Sequence, residues 1–294
     1  QPERAVVLEE RRWRTDNNPL GYLYFRLFNN AFLYHSYHWT PIGFFKDIEN
    51  WSIEDLREFH STFYQPKNAF LMVSGDIEPK EVFALATKHF EGIKNSKKIP
   101  KIHSIEPKQD GAKRVEIHKN SDTELLGLAF KIPSFKHKDM PVLSALSELL
   151  GTGKSSLINE ILIDKLGLIN EYYAFCNESI DENLFIFICV CNVGVKAERV
   201  EKELLKILER VKNGKISIKD LQKIKNRVKS DFIFSLNTAS SVSSIYGDYI
   251  AKGDLGVLLE YESKVEALEI SHLAKVAKKY FTPKNSTTII LRKD

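Results

Sequence analysis

One short pattern occurs twice in this chain, 217 residues apart, and it constrains the fold more than any other stretch. Leu56, Phe63-Tyr64 and Pro66-Lys67-Asn68 return as Leu273, Tyr280-Phe281 and Pro283-Lys284-Asn285. In both places an apolar-periodic helix ends on two aromatics and is stopped by a proline, which has no N–H to continue the helical ladder. An apolar run comes after each stop, Ala69 to Ser74 and Ser286 to Leu291, and each reads as a strand. A helix, a stop and a strand recurring as a unit argue for two copies of one fold. The second copy fills the chain from about residue 113 to its end. The first closes near residue 92, so its front half is expected to lie upstream of Gln1.

The rest of the chain supports that division. Residues 93–112 are Lys-, Ser-, Pro- and Gly-rich with little apolar periodicity, and read as a linker. The expected organisation is 1–92, the C-terminal part of a first domain; 93–112, the linker; and 113–294, a complete homologous domain. Ser52 with Asp55 three residues on forms a capping box for a helix to Tyr64. Pro79 opens a helix with Val82, Phe83, Ala86 and Phe90 at 3–4 spacing. Beyond the linker, Arg114 to Lys119, Leu125 to Ile132, Tyr172 to Cys176 and Leu184 to Val193 read as strands. Asp139 to Leu150, Ser155 to Leu166, Ala197 to Val211 and Ser217 to about Phe234 read as helices, and Ser271 opens the last one. The fold class is α+β: two homologous domains, each a mainly antiparallel sheet packed with helices, the first truncated at its N-terminal side.

Charge and composition exclude several functions. Forty-three basic residues against 39 acidic leave a net charge of +4, too nearly balanced for a nucleic-acid groove as the main function. No apolar run reaches the roughly 18 residues of a membrane span. Cys176, Cys189 and Cys191 match no zinc-binding spacing and read as buried reduced thiols. Gly151-Thr152-Gly153-Lys154-Ser155 ends like a phosphate-binding loop, but Glu148 stands where that loop needs glycine, and the preceding segment reads as helix.

The chain opens on Pro2-Glu3-Arg4-Ala5-Val6-Val7-Leu8-Glu9-Glu10, with a proline and a carboxylate suited to a helix N-terminus. Glu3 and Glu10 are seven residues, two turns, apart and share one face, while Glu9 points about 100° away. Taken alone, that spacing describes a solvated helix face.

Glu3 to Glu10 resembles the E-R-x-V-x-x-x-E helix of the pitrilysin/insulinase-type zinc peptidases, the inverzincins, in particular their mitochondrial-processing-peptidase-like bacterial branch. His35-Ser36-Tyr37-His38 with Pro41-Ile42-Gly43 is similar to that family's H-P-Y…P-x-G stretch. Leu149-Leu150-Gly151-Thr152-Gly153-Lys154-Ser155-Ser156 resembles the L-L-G-G-G-x-S-S turn of its second domain. The resemblance implies a Zn²⁺ held by two His of an H-x-x-E-H helix, whose Glu is the general base, with a third ligand from the distal Glu of the pair. That ligand maps onto Glu10, with Glu9 as the register alternative. Glu3 becomes a supporting carboxylate in the catalytic constellation. The implied activity is endopeptidase cleavage by metal-activated water. The implied partners are a peptide substrate and a homologous subunit or second copy, in a periplasmic or secreted setting. The competing expectation is a non-catalytic homologue serving as a scaffold or core subunit.

The chain departs from that pattern in three places. None of its eight His residues forms H-x-x-E-H, and His35 and His38 read as structural; the motif is expected upstream, leaving this fragment inactive by itself. The repeat position of Glu10 is Arg227, so the second copy has no ligand there. Active single-chain relatives carry an R-E-x-x-G-L-x-Y element that binds substrate. Here Ile163 and Asn170 replace its Arg and Tyr, which implies that a partner subunit supplies them, unless Tyr172 or Tyr173 substitutes.

Overall fold

The computed structural model describes residues 2–293. Helix α1 (Pro2–Arg11) runs into a π-helical turn over Arg12–Asp16, and α2 (Pro19–Ala31) begins after a break capped by the Asn18 side chain on the Gly21 amide. Then come α3 (Phe45–Asn50), α4 (Ile53–Phe63) and α5 (Pro79–Phe90). The second half holds β1 (Lys113–Lys119), β2 (Leu125–Ile132), α6 (Met140–Gly151), a π-helical segment at Asn159–Lys165, β3 (Ile169–Cys176) and β4 (Asn183–Cys191). It continues through α7 (Ala197–Lys212), α8 (Ile218–Ser235), α9 (Ala239–Lys252), α10 (Gly256–Glu266) and α11 (Ile270–Tyr280) to β5 (Ser286–Lys293).

The strands form one five-stranded mixed sheet in the order β1-β5-β2-β4-β3. Only β1–β5 is parallel. β2 and β4 are near-continuous apolar runs, and the reason is burial on both faces. Leu126, Leu128, Phe130, Phe185 and Phe187 pack on one face beneath α6, α7, α8 and α11. Leu125, Ala129, Ile186, Ile188 and Ile289 face the other way and are covered by Leu23, Leu27, Phe28 and Ala31 of α2. A helix from the N-terminal third thus closes the sheet of the C-terminal two thirds.

The helix and its stop are reproduced in both places. Helices α4 and α11 have bounds 217 residues apart, and each begins with a reciprocal capping box, Ser52/Asp55 and Glu269/His272. Each runs into a 3₁₀ turn of Pro-Lys-Asn. The Asn closes the turn by donating to the carbonyl of the last helical residue, Asn68 to Phe63 at 2.9 Å and Asn285 to Tyr280 at 2.8 Å.

Past the turn the two copies diverge. Ser286–Lys293 is a central strand, whereas the expected strand at 69–74 makes no ladder and is extended chain. A strand exists only with a partner for its N–H and C=O groups, and no described segment offers 69–74 one. The helices before and after it are uncovered in the same way. Leu56 is 52% exposed where its repeat mate Leu273 is 0%, and Tyr64 is 67% exposed where Phe281 is 1%. Phe83 and Phe90, expected to face a core from α5, are also exposed.

Candidate functional site

Pro2 at the first helical position and Glu3 in the first turn start α1 as expected, and the helix runs unbroken through Glu10. The two carboxylates therefore share a face across two turns. Glu3 is exposed. Glu10 is 40% exposed and meets Arg14 at 3.1 Å, while Glu9 turns aside to Arg12 at 3.1 Å. Among the described residues no three His, Cys, Asp or Glu side chains come together as a metal site. A half-exposed carboxylate on a helix face suits one ligand of a tetrahedral zinc, and these residues alone do not close such a site.

Arg11, beside Glu10 and about 100° round the helix from it, is buried. Its guanidinium donates to Asp16 Oδ1 at 3.1 Å and to the Gly43 carbonyl, and lies 4.5 Å from the Phe25 ring centroid. Asp16 is the last residue of the π turn, so Arg11 spans that turn from within.

The two candidate histidines are structural. His35 is buried; its Nδ1 accepts from the Tyr37 amide at 3.1 Å and its Nε2 lies 3.3 Å from Asp181. His38 Nδ1 donates to the Phe32 carbonyl at 2.8 Å. The loop they occupy is held by a residue that sequence reasoning missed, Glu106. Its carboxylate accepts the N–H groups of Leu33, Tyr34 and His35 at 2.9, 2.9 and 3.0 Å, and the Lys131 ammonium at 2.6 Å. Burial alone would raise its pKa, but Lys131 and the three amides outweigh it and hold the group at about 2. Nothing near Ile105-Glu106-Pro107 marks it in the sequence; a lone Glu in a Lys/Pro-rich linker looks solvated.

In the second copy Arg227 stands at the position of Glu10. It pairs with Glu148 of α6 at 3.0 Å and with Asp231 at 3.5 Å. The Glu10–Arg14 pair of the first copy is thus reversed in sign as Arg227–Asp231. Burial raises the Glu148 carboxyl despite Arg227. Ile163 packs against the core, and Asn170 falls at an irregularity in the β3–β4 register between Ile169 and Glu171. The Tyr172 hydroxyl is committed to Ser156 at 2.7 Å and the Gly153 carbonyl at 3.2 Å, while Tyr173 donates to Glu171. The phosphate-loop lookalike comes after a helix, not a strand. The three cysteines are free thiols. Desolvation pushes Cys176 up to about 11 and Cys191 up to about 12, which leaves them inert.

This sheet under helices, its half-repeat and its glycine-serine turn define an M16-type peptidase fold. Residues 50–228, more than half of the chain, match the family described as the peptidase M16 inactive domain, and the chain belongs to that family. Among individual proteins it is similar to the zinc protease PqqE of Helicobacter pylori, 47% identical over 294 residues, covering 99% of this chain and 66% of that protein. The crystal structure of a protease from Helicobacter pylori matches with a TM-score of 0.96 at 47% identity, over 99% of this chain and 71% of its own. Two further structures share the fold. The M16 inactive domain from Pseudomonas fluorescens has a TM-score of 0.83 at 18% identity, over 100% of this chain and 69% of its own. The periplasmic protease PqqL from Escherichia coli has 0.77 at 15%, over 100% and 34%. The chain spans about two thirds of the length of the Helicobacter pylori relative. No helix among the described residues is long and apolar enough to cross a membrane.

Proposed function

We propose that this chain is the downstream part of a zinc-dependent endopeptidase subunit. Residues 1–92 belong to the metal-bearing domain, 93–112 connect, and 113–294 form its non-catalytic homologue. The observation that carries this reading is the difference between repeat mates: Leu56 and Tyr64 lie open where Leu273 and Phe281 are sealed. Apolar helix faces of this extent call for a cover, and a sheet supplied by upstream chain is the cover that the second copy has. The greater length of the similar zinc protease supports that cover.

In this reading Glu10 supplies the third ligand and Glu3 a nearby carboxylate that sets the charge and geometry of the site. The two His ligands and the general base come from upstream chain. When bound, the metal polarises the scissile carbonyl and lowers the pKa of its water. The second domain walls the chamber in which a peptide is held. A homologous subunit contributes the Arg and Tyr that Ile163 and Asn170 replace, which a second copy of this chain, having the same two residues, does not. A periplasmic or exported site of action is supported by the description of the Escherichia coli protein alone; fractionation of cells tests it.

Metal analysis tests the core of the proposal. The 294-residue chain should hold no stoichiometric zinc, and the full-length protein should hold one per chain. Glu10→Gln should abolish that binding. Glu3→Gln should keep the metal and lower the rate by about 10–100-fold. Zinc retained by Glu10→Gln and lost by Glu9→Gln would move the ligand by one residue. A scaffold role is the second reading, favoured by the match to a domain described as inactive, although that match begins after α1. A full-length protein without zinc would favour it over the peptidase.

A further inference from the structure

We infer that Arg11 is the positioning residue of the metal-ligand helix, fixing the direction of Glu10 through the π turn immediately after it. This rests on the reading of Glu10 as a ligand. The π turn over Arg12–Asp16 widens the backbone by a residue, closing with the Asn17 amide on the Arg12 carbonyl at 2.8 Å. Such turns cost helical hydrogen-bond geometry and persist where surrounding contacts hold them.

Here the contacts come from two sides. Arg11 reaches across the turn to Asp16 and on to the Gly43 carbonyl, and stacks on Phe25 of α2 with Phe44 behind it at 5.7 Å. From the other side Gly21 lets the first turn of α2 sit directly on the Arg14 carbonyl; a Cβ at that position would overlap the carbonyl oxygen. The turn is wedged between a buried guanidinium and a glycine notch, and the helix that carries Glu10 cannot roll without breaking one of them.

The second copy provides the control. Its equivalent of Arg11 is Val228, a core residue, and its equivalent of Asp16 is Ile233. There the helix runs as unbroken α over Ile218–Ser235. The copy without a carboxylate at the ligand position has neither the buried Arg, nor its acidic partner, nor the π turn. A fold that needed Arg11 only to pack this helix would need it in both copies. The planar fork of arginine suits a role that fixes angle as well as distance, since it holds two acceptors while its face rests on an aromatic ring.

The test uses the full-length protein loaded with zinc, and separately with Co²⁺, whose visible absorption reports ligand geometry. Arg11→Met should weaken zinc binding about 10–100-fold and alter the Co²⁺ bands, and Arg11→Lys should recover part of both. Asp16→Asn, a milder change at a half-buried partner, should shift the Co²⁺ bands in the same direction at unchanged far-UV circular dichroism. It decides the matter should Arg11→Met fail to fold. Glu106→Gln serves as the control for lost stability, since it loosens the fold without touching α1, and should leave the bands in place. Unchanged bands and affinity in Arg11→Met or Asp16→Asn, or an equal change in Glu106→Gln, would overturn the inference. Glu10→Gln run in parallel separates the two claims. If it keeps the metal, the ligand reading and this inference fall together; if it loses the metal while the Arg11 and Asp16 variants do not, this inference falls alone.

Discussion

Replacing Glu106 with Gln should cost about 3 kcal/mol at pH 7, and the cost should vanish in acid. The carboxylate is 4% exposed, holds three consecutive amides and one ammonium, and has its pKa lowered from 4.5 to about 2. A shift of that size corresponds to about 3 kcal/mol of stability carried by the ionised form. Losing the charge also leaves Lys131, itself nearly buried, facing a neutral amide, and breaking a buried pair in this way costs on the order of 3–5 kcal/mol. The folded pKa lies below the unfolded one. The contribution is therefore complete above pH 4.5, declines as the pH falls from there toward 2, and is absent below. Urea unfolding of the wild type and Glu106→Gln at pH 7, 5, 3.5 and 2.5 measures it. The difference should be largest and level above pH 5 and should shrink across the last two points. A difference that stays constant from pH 7 to 2.5, or one below about 1 kcal/mol at pH 7, would refute the clamp.

Leu273→Ala should cost about 2–5 kcal/mol in this chain, and its repeat mate Leu56→Ala under about 1, read from urea midpoints; in the full-length protein the Leu56 cost should rise toward that of Leu273. Gly151→Ala should destabilise by about 1–3 kcal/mol or more, because its Cβ would lie 2.5 Å from both the Cβ and the carbonyl oxygen of Ala174; a thermal midpoint equal to wild type would contradict that geometry. The full-length subunit should be a weak peptidase on an unstructured peptide until a homologous subunit carrying the Arg/Tyr pair is added. Equal rates with and without that partner would mean that Ile163 and Asn170 do not limit binding.

The parts of the fold that sequence exposed were those where local chemistry and burial agree. The apolar runs of β2 and β4 are strands because both of their faces are covered, and the Pro-Lys-Asn stops work the same way in both copies. The strand expected at 69–74 has the right residues and no partner, and pattern alone cannot report a missing partner. Val82, Phe83, Ala86 and Phe90 share that fault: their periodicity describes a face, and in this chain Phe83 and Phe90 lie open while Val82 and Ala86 are only half-buried. Helices α9 and α10 have no counterpart among the expected elements. α9 is rich in Ser with weak periodicity, and is set by the Thr238 cap at one end and by Gly253, at φ 86°, at the other. At the candidate site, the shared helix face of Glu3 and Glu10 was legible through spacing. Arg11 and Glu106 were not, because each acts through partners distant in sequence, Gly43 and Phe25 for one and residues 33–35 for the other.

The position of β5 has a consequence for how the molecule is made. The strand nearest the C-terminal end of the chain lies inside the sheet, bonded to β1 on one side and β2 on the other. Until Ser286–Lys293 leaves the ribosome, β1 and β2 have no strand between them, and α2, synthesised long before, lacks part of the surface it will cover. The sheet of this half cannot close before that strand is made. Its early helices emerge with apolar faces bare and depend on chaperones, or on speed, until that eight-residue strand joins the sheet.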